Sequence, residues 1–138
     1  MKTLIAAMAA SLVLCASANA AKLSIELVDV AKATGTINIQ LVDQAAFDGK
    51  GQTTARKQVK VSSTANVSLA FEDIKPGKYA VMVMHDENDN GKLDSNILGI
   101  PKEGYGFSNN PRVMRQPTFD ESMIEIKDAD VAITINVL

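Results

Sequence analysis

From Lys22 to Val30 the branched residues Leu23, Ile25 and Leu27 fall at every second position, and Ile37, Ile39 and Leu41 do the same between Thr36 and Val42. Period two places one row of side chains on one face of an extended chain. These two segments therefore predict half-buried strands, joined across Ala33-Thr34-Gly35. Neither shows the longer period that an amphipathic helix needs. Asp43 to Thr54 reads as a connection in which Phe47-Asp48-Gly49-Lys50-Gly51 offers an Asp-Gly turn. Strand character returns at Lys57 to Val61 and at Val67 to Phe71, where Val67, Leu69 and Phe71 share a face. In Lys75-Pro76-Gly77-Lys78 proline presets one central φ and glycine supplies the positive φ of a type II turn, so the chain should reverse there. Tyr79 to Met84 leaves that turn nearly all apolar and suits the middle of a sheet. Two last strands, Ser122 to Lys127 and Val131 to Val137, flank Asp128-Ala129-Asp130.

Between the fifth and sixth of these strands lies one long loop, residues 85–119, broken by Pro101, Pro111, Pro117 and several glycines. Ile97, Leu98, Ile100, Tyr105, Phe107, Val113 and Met114 make it too apolar for a solvated tail, so it reads as an ordered cover on the domain. The expected fold is all-β: a single antiparallel β-sandwich of immunoglobulin or transthyretin type, with about seven strands.

Residues 1–20 have the marks of a cleaved signal peptide: Lys2, an apolar run from Leu4 to Leu14 too short to span a bilayer, and Ala18-Asn19-Ala20 as the cleavage motif. Leu14 stands before Cys15, where lipoprotein processing needs a small side chain. Residues 21–138 then form the β-sandwich domain, periplasmic or secreted, with no membrane span after cleavage. Cys15 is the only cysteine of the chain, so the domain has no disulfide and depends on its packed core. The net charge of −2 and the lack of tryptophan argue against nucleic acid, which needs a basic excess or a stacking platform.

The negative charge is concentrated in Asp86-Glu87-Asn88-Asp89-Asn90-Gly91-Lys92-Leu93-Asp94, which holds four acids and one lysine. With Asp86 in first place, Asn88, Asn90, the Lys92 carbonyl and Asp94 take third, fifth, seventh and ninth, and Gly91 takes the turn position. This spacing wraps oxygen ligands around a hard cation such as calcium. Ile97 stands where an EF-hand has its bidentate glutamate, and strands flank the loop, so this is not an EF-hand. The same residues also suit a metal-free loop of Asx-turns.

Other chemistry has less to stand on. Met82, Met84 and His85 are soft and imidazole ligands of the kind copper takes, which makes a periplasmic copper-binding protein the alternative function. In a strand, however, the two methionines point one way and His85 the other, as core filler and a strand-end residue do. A hydrolase comes last, since the domain has no cysteine, no metalloprotease motif and no serine elbow, and catalytic residues are set at none. Tyr105, Phe107, Asn109, Asn110, Arg112 and Arg115 are the residue types enriched at recognition surfaces, so they form the candidate surface for an unknown protein or envelope ligand. Tyr105 and Phe107 would equally serve to staple the loop to the sandwich.

The run Phe71-Glu72-Asp73-Ile74-Lys75-Pro76-Gly77-Lys78-Tyr79-Ala80-Val81, then His85 to Asp94, then Leu98-Gly99-Ile100-Pro101-Lys102-Glu103-Gly104-Tyr105-Gly106-Phe107-Ser108-Asn109-Asn110 resembles the bacterial DUF2141 family of uncharacterised exported proteins. The likeness extends over essentially all of residues 21–138. It implies a prealbumin-like or immunoglobulin-like sandwich in which a Pro-Gly-x-Tyr turn introduces a core strand, and it implies no catalytic residue. The reading as a whole is an exported, non-enzymatic binding or cell-envelope module whose long loop is ordered by calcium.

Overall fold

The computed structural model describes residues 20–138, so the leader reading of residues 1–20 lies, apart from Ala20, outside the described residues. Eight strands follow in order: β1 (Ala21–Val28), β2 (Thr36–Val42), β3 (Ala55–Lys60), β4 (Val67–Ile74), β5 (Gly77–Asp86), β6 (Tyr105–Phe107), β7 (Ile124–Ile126) and β8 (Val131–Asn136). Two one-turn helices, α1 (Gln44–Phe47) and α2 (Phe119–Ser122), interrupt them. One sheet has the order β4-β1-β8 and the other β3-β2-β5-β6, with β7 also on β5.

Alternation produces the core directly. Leu23, Ile25 and Leu27 of β1, with Ile135 of β8 beside them, face Ile37, Ile39 and Leu41 of β2 and Val81 and Val83 of β5 in one buried layer between the sheets. A second, smaller cluster lies on the outer face of β2 and β5. There Val42, Ala80 and Met82 are covered by Phe47 of α1 and Phe119 of α2, whose rings meet edge to face at 5.7 Å. Each helix starts at a side-chain cap. Asp43 accepts from the Ala46 amide, and Thr118 and Glu121 form a reciprocal capping box.

Four expectations are corrected. The sandwich is not wholly antiparallel, because β8 runs parallel to β1, with Leu23 opposite Val131 and Val28 opposite Asn136. β8 reaches β1 from β7 on the other sheet, so no hairpin obliges it to oppose its neighbour. The loop at 85–119 is not continuous: His85 and Asp86 complete β5, Tyr105–Phe107 is a strand, and α2 begins at Phe119. The Asp43 to Thr54 connection contains α1. Gly77 does not take positive φ, so the Pro76-Gly77 reversal is not a type II turn, and the positive φ lies at Asp73 (56°).

β5 is the strand that leads into the acidic loop. One of its edges carries β7 at Gly77–Tyr79 and β6 at Met82–Met84. Ser108 fills the gap between them. Its amide donates to the Val81 carbonyl (3.0 Å), its Oγ accepts from the Val81 amide (2.9 Å), and its hydroxyl donates to the Ser122 carbonyl. The backbone of β5 is thereby paired through the junction of two short strands.

Candidate functional site

At the end of β5 the chain turns into the acidic loop with Asp86 almost wholly buried. The β1–β2 turn presses against it. Gly35 has φ +76° and comes so close that a Cβ there would lie 2.0 Å from the Asp86 carbonyl oxygen, which only glycine permits. The same turn brings the Thr34 carbonyl within 2.7 Å of His85 Nε2. A carbonyl only accepts, so Nε2 carries a proton and donates. Nδ1 is buried with no hydrogen-bond partner among the described residues.

Asp86 holds the loop from inside. Its Oδ1 accepts from the Asn90 amide (3.0 Å) and its Oδ2 from the Gly91 amide (2.7 Å). Asn88 Oδ1 accepts from the Asn90 amide (3.2 Å) and Asn90 Oδ1 from the Lys92 amide (2.9 Å), two successive Asx-turns. Asp89 at φ 56° and Gly91 at φ 80° complete the reversal. The side-chain amides of both asparagines then donate to Asp94, Asn88 Nδ2 to Oδ2 (2.7 Å) and Asn90 Nδ2 to both carboxylate oxygens (2.9 Å each). These bonds, first from Asn90 and then from Asn88, with Lys102 and Lys92 adding smaller attractions, hold the Asp94 carboxyl below its ordinary range.

The other acids tie the loop to the sandwich. Glu87 pairs with Lys32, and its hydrogen bond and charge raise that ammonium above its usual range. Asp89 pairs with Lys60 of β3 and accepts from Thr36 Oγ1 of β2 (2.7 Å), and these bonds lower its carboxyl. Beyond Asp94 the chain forms a narrow hairpin. The Lys102 amide donates to the Asp94 carbonyl (2.8 Å), the Asn96 amide to the Ile100 carbonyl (2.8 Å), and Asn96 Oδ1 accepts from Leu98 and Ile100. Ile97 and Leu98 stand exposed at its tip.

A residue that sequence reasoning missed joins these pieces. Glu103 is buried, and its Oε1 accepts from the Glu87 amide (3.0 Å) while its Oε2 accepts from the Asp94 amide (2.9 Å). One carboxylate thus clamps both ends of the acidic loop. The only signal for it was a single acid between Lys102 and Gly104, which no spacing rule singles out.

Of the proposed ligand set, Asp86, Asn88, Asn90 and Asp94 are brought into one hydrogen-bonded network, and the Lys92 amide enters it through Asn90. Among the described residues no group of three or more His, Cys, Asp or Glu side chains is placed to hold a metal ion, so a cation here would depend on the amide oxygens. The copper set is not brought together. Met82 packs in the outer cluster, Met84 follows it on that face, and His85 is directed inward against Thr34.

The candidate partner surface divides likewise. Asn109 and Asn110, both left-handed at φ 66° and 46°, spend their amides on the fold. Asn109 donates to the Met123 carbonyl (2.8 Å), while Asn110 donates to Thr134 and accepts from Asn136. Arg115 makes a two-point pair with Glu121 at 2.8 Å per contact. The Arg115 bonds and then the Thr118 backbone lower the Glu121 carboxyl to about 2, and the same pair raises the guanidinium above its usual value. Tyr105 and Phe107 are half-buried with rings 6.3 Å apart, and Arg112 is exposed.

A family model described as an uncharacterized protein conserved in bacteria (DUF2141) matches residues 25–134. Comparison with curated proteins and with solved structures yields no match.

Proposed function

We propose, for a chain that belongs to the DUF2141 family of uncharacterized bacterial proteins, an exported, non-enzymatic β-sandwich binding or cell-envelope module whose acidic loop is ordered by calcium. The observation that carries this reading is the network joining Asp86, Asn88, Asn90 and Asp94 within one short loop. Asp86 already accepts two backbone N–H groups, but a carboxylate has about four lone-pair sites, so each of its oxygens keeps acceptor capacity. The amides of Asn88 and Asn90 supply the positive end of a dipole to Asp94. A divalent cation would supply it more strongly, with Asp86 and the Lys92 carbonyl as further oxygen ligands.

The fold is best read as the immunoglobulin or transthyretin type. Support comes from Tyr79, whose hydroxyl donates to the Lys75 carbonyl four residues upstream (2.9 Å), the arrangement of a tyrosine corner. Among the described residues no helix is long and apolar enough to cross a membrane.

Thermal melts with calcium and with chelator test the calcium reading. A ligand at ten times its Kd stabilises the folded state by about 1.4 kcal/mol, so calcium should raise the melting temperature measurably. Asp94→Asn keeps the side chain's size but removes its charge and should abolish the rise. An unchanged melt at millimolar calcium would refute it.

A further inference from the structure

A groove of about 440 Å³ opens beside β6. It lies between β6 and the segment from Asn110 to Pro117. That segment is held at both ends. Asn110 is bonded to β8 through Thr134 and Asn136, and Arg115 and Thr118 are bonded to Glu121. The outer edge of β6 is already taken, since Tyr105 exchanges backbone hydrogen bonds with Leu138 (3.1 and 2.8 Å) and the Phe107 carbonyl accepts from the Asn110 amide (3.1 Å), and Pro111 and Pro117 have no N–H to add to it. A strap fixed at both ends keeps the groove open with little loss of order on binding.

The lining has a definite chemistry. Tyr105, Phe107 and Val113 supply apolar walls. Met114 stands at the rim fully exposed (106%), an adaptable thioether with nothing to pack on in the free protein. The amides of Asn110 and Asn136 are occupied within the fold. Arg115 is neutralised by Glu121. Arg112 has no ion pair among the described residues and is the one uncommitted cation of the lining. The volume lies within the range of roughly 300–1,000 Å³ typical of small-molecule sites, too small for a folded partner to enter.

We propose that this groove binds a small amphipathic carboxylate of the medium-chain fatty-acid class, its apolar chain along Tyr105, Phe107 and Met114 and its carboxylate on Arg112. A guanidinium pairs with a carboxylate through two parallel hydrogen bonds, which a neutral head cannot reproduce. This assignment rests on the binding-module reading but not on calcium.

The probe is decanoate, with decanol as its neutral counterpart, titrated into the purified protein and followed by amide chemical shifts. The series is run in chelator and again in calcium, so that a failed calcium effect and a failed ligand are seen separately. Decanoate should saturate below its micelle concentration and move the amides of residues 105–107, 110 and 112–116. Arg112→Gln should weaken decanoate about two- to fivefold, in keeping with an exposed charge pair, and leave decanol unchanged. Met114→Asp should weaken both, since it places a charge at the apolar rim. The proposal is overturned by non-saturable shifts, by saturation elsewhere on the molecule, or by an Arg112→Gln variant that binds decanoate as well as the wild type.

Discussion

Replacing Glu103 with alanine removes a single side chain and leaves two backbone donors, the amides of Glu87 and Asp94, without their acceptor. Hydrogen bonds to a charged acceptor contribute about 1.5–3 kcal/mol each, so two together set an upper bound of about 6 kcal/mol. Both donors belong to half-buried residues, so water recovers part of the loss once the carboxylate is gone. A cost of about 2–4 kcal/mol is therefore expected for Glu103→Ala. Glu103→Gln keeps one acceptor oxygen but turns an NH2 toward the other donor, and should cost about half as much. Urea denaturation of the three proteins, at an unchanged m-value, measures these differences. Native-state hydrogen exchange locates them, since the Glu87 and Asp94 amides should lose protection before those of β1 and β2. If Glu103→Ala unfolds within about 0.5 kcal/mol of the wild type, as an ordinary surface substitution would, the clamp has no energetic role. A glutamine variant as unstable as the alanine one would also refute the account, because charge and packing, not the count of acceptors, would then decide the outcome.

Two further predictions concern the junctions around β5. Ser108→Ala should destabilise by about 2–4 kcal/mol in the same urea experiment, because it strands the buried Val81 amide and removes the donor to the Ser122 carbonyl. Glu121 makes stability depend on acid. Its folded pKa is depressed to about 2 from 4.5, so its contribution is complete above the unfolded value and is lost as pH falls from about 4.5 toward 2. The melting temperature of Glu121→Gln should accordingly fall less steeply across that interval than that of the wild type, and parallel curves would show that the Arg115 pair contributes nothing.

The elements legible in the sequence are those whose information is local and periodic. β1 and β2 repeat every second residue, and their buried rows coincide with the branched positions. β6 is three residues long with glycine at its centre, too short to display a period, and it is a strand because β5 offers it an edge. The helix α2 did have a readable start, since Thr118 and Glu121 stand at capping-box spacing, but one turn carries no 3.6-residue pattern to confirm it. The parallel pairing of β1 with β8 is a property of two segments more than a hundred residues apart, and neither one's alternation specifies a neighbour or its direction.

The same division explains the candidate site. Asp86, Asn88, Asn90 and Asp94 were found because a backbone wrapped around its own side chains leaves a fixed spacing, whether a cation or only N–H groups fill the interior. Glu103 was missed because its partners lie sixteen and nine residues away, and no spacing within the loop predicts which distant acid returns to close it. Asn109 and Asn110 were misleading in the opposite sense. Exposed amides beside aromatic residues have the composition of a recognition surface, yet a left-handed backbone turns both side chains onto the carbonyls and amides of neighbouring segments. Composition identifies which side chains have hydrogen bonds to give, and only the fold decides whether the chain itself has already taken them. Arg112 differs from its neighbours on this ground alone, and that difference makes its substitution a more discriminating probe of the groove than any change at the two asparagines.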